Sequence, residues 1–208
     1  EVGAFARAIE VLIDFAAPFG LAELSVGGGL GVPYVEGESA PSITEWASGI
    51  RAVCEAAGVT ASVSAEPGRA IVAAAAITLY TVGTIKDLPG IRTYVAVDGG
   101  MSDNPRPVLY GSGYETFLPR ATAAERSRPV RVVGKHCESG DLLVREGWVP
   151  DDLVVDDVLA TPVTGAYGHA MGSNYNHVLR PAVVFVANGD ARMVVRRETF
   201  EDLVRREV

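Results

Sequence analysis

Cysteine and lysine are both scarce in this sequence. Its 208 residues include two cysteines, Cys54 and Cys137, and two lysines, Lys86 and Lys135. Two cysteines so far apart do not make a disulfide framework, so we expect a reducing compartment and a cytoplasmic protein. Any chemistry that requires a lysine has only two candidate side chains here.

Long apolar runs and an excess of positive charge are also missing. No run reaches the roughly 18 apolar residues of a membrane-spanning helix, and the chain has a formal net charge of -8. Because binding to phosphates or to an anionic membrane needs clustered cations, we expect neither a nucleic acid nor a membrane as a partner. The first residues lack the basic region of a signal peptide, and the missing initiator methionine indicates a piece of a longer chain.

The residues that are present describe a globular chain. Apolar residues make up 48% and charged residues 21% of the sequence, and the mean hydropathy is +0.21. This composition excludes a disordered chain, and the length fits one or two domains.

The first part of the sequence alternates helical and strand patterns. The predicted elements are a helix over 2–18, a strand over 21–26, a helix over 43–57, a strand over 59–65 and a short helix over 70–77. Ser42 and Glu45 have the spacing of a capping box at the start of the second helix. Because helices and strands that alternate are typical of a parallel sheet, we predict an incomplete α/β domain over residues 1–76.

The second part of the sequence has mainly strand patterns. Strands are predicted over 78–85, 94–97, 130–133, 153–159 and 183–186. Asn188-Gly189 lies between two strand patterns and predicts a hairpin. Since long helical patterns are missing, we expect an antiparallel β domain over residues 77–208.

Two loops after predicted strands of the first domain carry possible binding groups. The segment from Gly27 to Gly31 contains four glycines, whose backbone N–H groups can approach a phosphate closely. Glu66-Pro67-Gly68-Arg69 begins where the next strand ends. A flexible turn and a surface ion pair are the respective alternatives.

Three segments of the second domain carry further candidates. Arg106 lies between two prolines, which suits a carboxylate clamp, and Tyr110 follows four residues later. Cys137 and Glu138 place a thiol beside a carboxylate, whereas zinc is disfavoured because no second Cys/His pair has ligand spacing. Tyr167, in a glycine-rich loop, can line a planar ligand. Taken one at a time, these residues are explained more readily by roles in turns or in the core of the domain.

In their order and combination, these segments resemble the diaminopimelate decarboxylase family, which consists of pyridoxal-phosphate-dependent enzymes of fold type III. The resemblance runs from about residue 21 to the C-terminus and is carried by SVGGGLGVPY, EPGR, VDGGMSDNPRPVLY, HCESGD and GAYGHAMGSNYN. It implies the C-terminal part of an alanine-racemase-like TIM (β/α)8 barrel followed by an antiparallel β-barrel or sandwich domain. It also implies a homodimer whose active sites are shared across the interface.

The same resemblance implies a role for each candidate residue. Pyridoxal 5'-phosphate would be bound by Gly28, Gly29, Glu66, Gly68, Arg69 and Tyr167, with Glu66 facing the pyridine nitrogen. An amino-acid substrate would be bound by Arg69, Arg106, Tyr110, Glu138 and Tyr167. Cys137 would donate a proton and Glu138 would bind the distal amino group, both across the subunit interface. No metal is implied.

The implied reaction is the decarboxylation of meso-2,6-diaminopimelate to L-lysine and CO2, the last step of lysine biosynthesis. Arginines for a second carboxylate and Glu138 for a second ammonium group suit a substrate with two amino-acid heads. The family's Schiff-base lysine lies in an early barrel segment like YAxKAN, which this sequence lacks. Neither Lys86 nor Lys135 fits that place, so we expect a C-terminal fragment that is inactive by itself.

Two other functions stay open at this point. A decarboxylase of the same group could act on ornithine, arginine, carboxynorspermidine or an antibiotic precursor, although Glu138 favours diaminopimelate. A non-catalytic relative could bind and regulate an active decarboxylase. The presence together of Arg69, Arg106, Cys137 and Glu138 argues against that regulatory role.

Overall fold

The structure, a computed structural model, describes residues 2–208 and divides after Ala75 into two units. Each unit has its own sheet and its own buried residues, and each is described separately. Within residues 2–208, no helix combines the length and the apolar character needed to cross a membrane.

The first unit contains two parallel strands that alternate with helices. Its elements are α1 (Val2–Ala16), β1 (Glu23–Ser25), α2 (Ile43–Ala56), β2 (Ser62–Ser64) and α3 (Gly68–Val72). The strands β1 and β2 pair in parallel with Leu24 opposite Val63. The predicted order of elements and the parallel pairing are confirmed, although both strands are shorter than predicted.

A local signal determines where α2 begins. The Ser42 hydroxyl accepts a hydrogen bond from the Glu45 amide at 3.1 Å, and the Ser42 amide donates to the Glu45 carboxylate at 2.8 Å. The hydrogen bonds that the Ser42 amide and hydroxyl donate to this carboxylate hold the pKa of the Glu45 carboxyl below its usual value. The capping box predicted from the sequence is therefore confirmed.

The core of the first unit lies between the two long helices and β1. Its buried side chains are Ile9, Ile13, Leu24, Leu30, Trp46, Ile50 and Cys54. The ring of Phe5 meets Trp46 edge to face, with 6.1 Å between the ring centroids. Leu30 is 2% exposed, so the glycine-rich loop that contains it is anchored to the core on one side.

The second unit is built around a five-stranded sheet with the strand order β6-β5-β4-β3-β7. The sheet strands are β3 (Thr78–Leu88), β4 (Arg92–Val97), β5 (Arg128–Val133), β6 (Leu142–Val149) and β7 (Val158–Thr161). A separate hairpin pairs β8 (Val183–Ala187) with β9 (Asp190–Val195). Three short helices complete the unit: α4 (Arg106–Tyr110), α5 (Gly168–Met171) and α6 (Phe200–Val204).

The expectation of an antiparallel domain needs a correction at one pair of strands. β4 and β5 are parallel, with Val95 opposite Val132, so the sheet is mixed. Parallel neighbours require a long connection, and the chain between β4 and β5 carries α4 and the Asp98–Pro105 turn. Periodicity within single strands does not reveal this pairing, because it depends on where a distant segment returns to the sheet.

Two further strand predictions differ from the structure, whereas the hairpin prediction is confirmed. The strand expected over 153–159 begins only at Val158, after a turn, and β6 was not predicted at all. Asn188 and Gly189 have φ values of 53° and 84°, as a tight two-residue hairpin turn requires.

Replacing Leu159 with alanine is expected to destabilise the second unit. Leu159 is 0% exposed on β7, whereas Leu79, on the neighbouring strand β3, is 58% exposed. Loss of a buried leucine side chain costs about 2–5 kcal/mol, because apolar contacts are lost and a cavity remains. Urea unfolding followed by circular dichroism should show this loss for Leu159→Ala. The control Leu79→Ala should stay within about 0.5 kcal/mol of the wild type, and equal losses for both variants would contradict the assigned core.

Candidate functional site

The two candidate loops of the first unit lie side by side. Because β1 and β2 are parallel, their carboxyl ends meet at one edge, and the loops that follow them start there. The Glu66 amide donates to the Gly27 carbonyl oxygen at 2.7 Å. The Ser25 hydroxyl donates to the Glu66 carboxylate at 3.0 Å. The structure therefore brings the glycine-rich loop and the Glu66-Pro67-Gly68-Arg69 turn together.

Gly28 occupies a position that no other residue fits without a shift of the backbone. A Cβ atom there would collide with the carbonyl oxygen of Glu66. Its neighbours Gly27 and Gly29 have φ values of 71° and 90°, which L side chains rarely adopt. The loop thus presents bare backbone, as expected for a cradle that receives a phosphate.

The side chains of the neighbouring turn do not form the surface ion pair that is the alternative interpretation of their sequence. Glu66 is exposed and hydrogen-bonded to Ser25, and Arg69 is partly buried at the start of α3. Across residues 2–208, neither side chain forms a salt bridge. The Gly68 amide donates to the Glu66 carbonyl oxygen at 2.8 Å, which closes the turn. A carboxylate and a guanidinium are thus left available for a ligand.

In the second unit, the loop after β4 is held by a partly buried carboxylate. The Asp103 side chain accepts hydrogen bonds from the Tyr80 hydroxyl at 2.6 Å and from the Gly100 amide at 2.8 Å. Burial raises the pKa of the Asp103 carboxyl above its usual value, although both hydrogen bonds oppose this effect. This anchoring fixes the direction in which the chain enters α4 and therefore fixes the place of Arg106.

Arg106 is brought together with two of the tyrosines predicted as site residues. Its side chain is largely buried, with the residue 7% exposed. The guanidinium carbon lies 5.2 Å from the ring centroid of Tyr110 and 5.6 Å from that of Tyr167. One nitrogen donates to the Ser112 hydroxyl at 3.2 Å. Contacts of the cation with two aromatic rings hold the guanidinium plane in place.

Cys137 and Glu138 lie in the turn that joins β5 to β6, and both are exposed. The turn is organised by Asp141, whose carboxylate accepts from the His136 amide at 2.9 Å and from the Met101 amide at 2.7 Å. The His136 Nδ1 atom lies 3.0 Å from the same carboxylate. The exposed thiol and carboxylate therefore extend from a turn that the buried Asp141 and His136 side chains hold in place.

Sequence reasoning missed the residues that organise this turn. His136 and Asp141 belong to the HCESGD motif and Tyr175 to GAYGHAMGSNYN, but the sequence assigns no role to any of the three. In the structure the Tyr175 ring stacks on the His136 ring, and its hydroxyl donates to Glu138 at 2.5 Å. The contact between Tyr175 and Glu138 spans 37 positions, so no local pattern reveals it.

Residues 2–208 contain no candidate metal site. No group of three His, Cys, Asp or Glu side chains converges there as a cation site would require. The acidic and thiol groups of the β5–β6 turn are used instead in hydrogen bonds or are exposed to solvent.

A protein-family model matches most of the chain. The model describes the C-terminal sheet domain of pyridoxal-dependent decarboxylases, and it matches residues 34–165.

Known proteins similar to this chain are consistent with that match. A diaminopimelate decarboxylase of Actinosynnema pretiosum is 48% identical over all of this chain and 48% of its own length. The diaminopimelate decarboxylase of Mycobacterium tuberculosis is 45% identical over 97% of this chain and 48% of its own length. A crystal structure of the diaminopimelate decarboxylase of M. jannaschii with L-lysine is 29% identical, with a TM-score of 0.89. The match covers all of this chain and 49% of the M. jannaschii chain.

The chain therefore spans about half the length of the relatives it matches. These comparisons confirm the resemblance that the sequence motifs indicate. The family model covers more than half of the residues, and the relatives match nearly all of the chain. The chain belongs to the family of pyridoxal-dependent decarboxylases and carries their C-terminal sheet domain.

Proposed function

We propose that this chain is the C-terminal half of a decarboxylase that converts meso-2,6-diaminopimelate into L-lysine and CO2. In this proposal residues 1–76 are the last part of an alanine-racemase-like (β/α)8 barrel, and residues 77–208 are the β domain. The observation that carries the proposal is the close approach of Gly28 to the Glu66 carbonyl, in a chain whose relatives carry that activity in their names. The L-lysine bound to the M. jannaschii relative fits the proposed product.

The residues of the first unit fit pyridoxal 5'-phosphate. Gly28 and Gly29 offer bare backbone to its phosphate, and the backbone around Gly68 and Arg69 adds contacts. Glu66 would face the pyridine nitrogen, where a carboxylate stabilises a positive charge. When bound, the cofactor supplies a sink for the electron pair that CO2 leaves behind. Ser25 holds the Glu66 carboxylate through its 3.0 Å hydrogen bond.

The residues of the second unit fit the two ends of diaminopimelate. Arg106 binds the distal carboxylate, and Tyr110 and Tyr167 lie beside its guanidinium group. Glu138 binds the distal ammonium group, and Cys137 delivers a proton from its sulfur to the α-carbon after CO2 has left. A buried planar cation matches a carboxylate, and an exposed carboxylate matches an ammonium ion.

We further propose a homodimer in which the β5–β6 turn of one subunit enters the active site of the other. The exposure of Cys137 and Glu138 on a rigid turn supports this arrangement.

The two cysteines are free thiols, which supports a reducing compartment and hence a cytoplasmic enzyme.

The direct experiment uses the longer protein encoded by the reading frame that contains this chain. We expect the purified protein to release CO2 from meso-2,6-diaminopimelate and to form L-lysine, with little release from ornithine or arginine. Preference for ornithine would assign the chain to another decarboxylase of the same group. No release from any of these amino acids, with an effect on the activity of a second decarboxylase, would identify a regulatory relative.

Replacing Gly28 with alanine is expected to weaken binding of pyridoxal phosphate by about tenfold or more, because the new Cβ displaces the loop from Glu66. Gly31→Ala is the matched control, since it lies in the same loop and a Cβ there meets nothing within 4 Å. Binding to the longer protein is measured by equilibrium dialysis. Unchanged affinity in Gly28→Ala would contradict the cradle assignment.

Replacing Arg106 with lysine is expected to raise the KM for diaminopimelate roughly tenfold, because an ammonium group loses the paired contacts of the planar guanidinium. Arg92→Lys, at the start of β4, serves as the control and should leave the KM unchanged. Steady-state CO2 release measures both variants. An equal KM for Arg106→Lys and the wild type would exclude Arg106 from substrate binding.

A further inference from the structure

We propose that Tyr175 is a positioning residue that orients Glu138 toward the distal ammonium group of the substrate. We also infer that the buried His136–Asp141 pair supports the Tyr175 ring from below. This inference deepens the proposed function and rests on it, because it concerns how the same site recognises a long amino acid with a second amino group.

The Asp141 carboxylate anchors the contacts between His136, Tyr175 and Glu138. The side chains of Asp141 and His136 are 2% and 0% exposed. Two backbone amides donate to the carboxylate, so it serves as the acceptor, and the proton between it and His136 is assigned to Nδ1. A Cβ atom at Gly100 or Gly134 would collide with this pair, so the two glycines make the room for it.

The fixed imidazole gives Tyr175 a flat surface. The two ring centroids are 5.6 Å apart and the ring planes differ by 6°, which is a stacked arrangement. Because the Nδ1–carboxylate contact sets the orientation of the imidazole, it also sets the plane in which the tyrosine ring lies. The His136 ring therefore acts on Glu138 through Tyr175, whereas its backbone amide helps Asp141 to hold the turn that carries Glu138.

The backbone around Tyr175 is held from both sides. The Ser173 amide donates to the Ser102 carbonyl oxygen at 2.8 Å. The Asn174 side chain donates to the Val178 carbonyl oxygen at 3.1 Å and to the Glu198 carboxylate at 2.6 Å. These bonds place Tyr175 independently of Glu138, so the tyrosine can determine where the carboxylate lies.

The Tyr175 hydroxyl donates to Oε1 of Glu138 at 2.5 Å, which leaves Oε2 for a second donor. The hydrogen bond to Glu138 raises the pKa of Tyr175 above its usual value, with desolvation and the charges of Glu138 and Cys137 acting in the same direction. The phenol thus keeps its proton at neutral pH and remains a donor. An ammonium group is the donor that best matches the second oxygen.

The exposure of this pair argues against a role in stability. Tyr175 is 41% exposed and Glu138 is exposed as well. Ordering two exposed side chains costs conformational entropy and returns little folding free energy. Orientation of the carboxylate for a ligand is what the contact provides.

The kinetic test uses Tyr175→Phe in the longer protein, since phenylalanine keeps the stacking ring and removes only the hydroxyl. We expect kcat/KM for diaminopimelate to fall roughly tenfold, mainly through KM, as for a lost hydrogen bond to a charged group at an exposed site. Tyr94→Phe on β4 is the control and should not change either constant.

A double-mutant cycle separates positioning from a general structural effect. In a Glu138→Ala background, Tyr175→Phe should cause no further loss, because the group that the tyrosine orients is absent. The same tenfold loss in both backgrounds would overturn the proposal. So would a wild-type KM for Tyr175→Phe.

A titration of Tyr175 tests the contact without any reliance on activity. With labelled tyrosines, NMR should show the pKa of Tyr175 falling toward its ordinary value in Glu138→Gln, since the negative charge that disfavours the phenolate is gone. An unchanged Tyr175 pKa would overturn the proposal. If the longer protein decarboxylates ornithine rather than diaminopimelate, the proposed function fails, and the titration still decides whether Tyr175 holds Glu138.

Discussion

The parallel pairing of β1 with β2 is the constraint on which the proposed cofactor site depends. Parallel strands send both of their following loops to the same edge of the sheet, so Gly28 and Glu66 meet although they are distant in sequence. The closeness of that meeting excludes any side chain at Gly28, and the anchoring of Leu30 in the core prevents the loop from moving away. The bare backbone and the available carboxylate both follow from this geometry.

The second unit positions the residues proposed to bind the substrate in a different way. Parallel pairing of β4 with β5 requires a long connection between them, and that connection carries Arg106 and Tyr110. At the far end of β5, the buried Asp141 carboxylate fixes the turn that presents Cys137 and Glu138. In both places a carboxylate orders a loop that carries proposed site residues: the partly buried Asp103 before α4 and the buried Asp141 in the β5–β6 turn.

Features that depend on neighbouring residues could be predicted from the sequence. The Ser42 capping box and the Asn188-Gly189 hairpin are determined within a few positions, and both are present as expected. The motifs also identified the family, because their order along the chain is specific although each motif alone is ambiguous. The parallel β4–β5 pair and the contact of Tyr175 with Glu138 depend on segments distant in sequence, so periodicity and composition did not reveal them. The roles of His136 and Asp141 could not be predicted, because a short segment of polar residues and glycines has the same sequence pattern whether its side chains are buried or exposed.

The central claim is that the glycine-rich loop and the Glu66 turn together hold pyridoxal phosphate. A crystal structure of the longer protein soaked with pyridoxal phosphate tests this claim most directly. The account predicts the phosphate within hydrogen-bond distance of the backbone amides of Gly28 and Gly29, with the Glu66 carboxylate at the pyridine nitrogen. A cofactor bound elsewhere, with these two loops free of contact to it, would contradict the account.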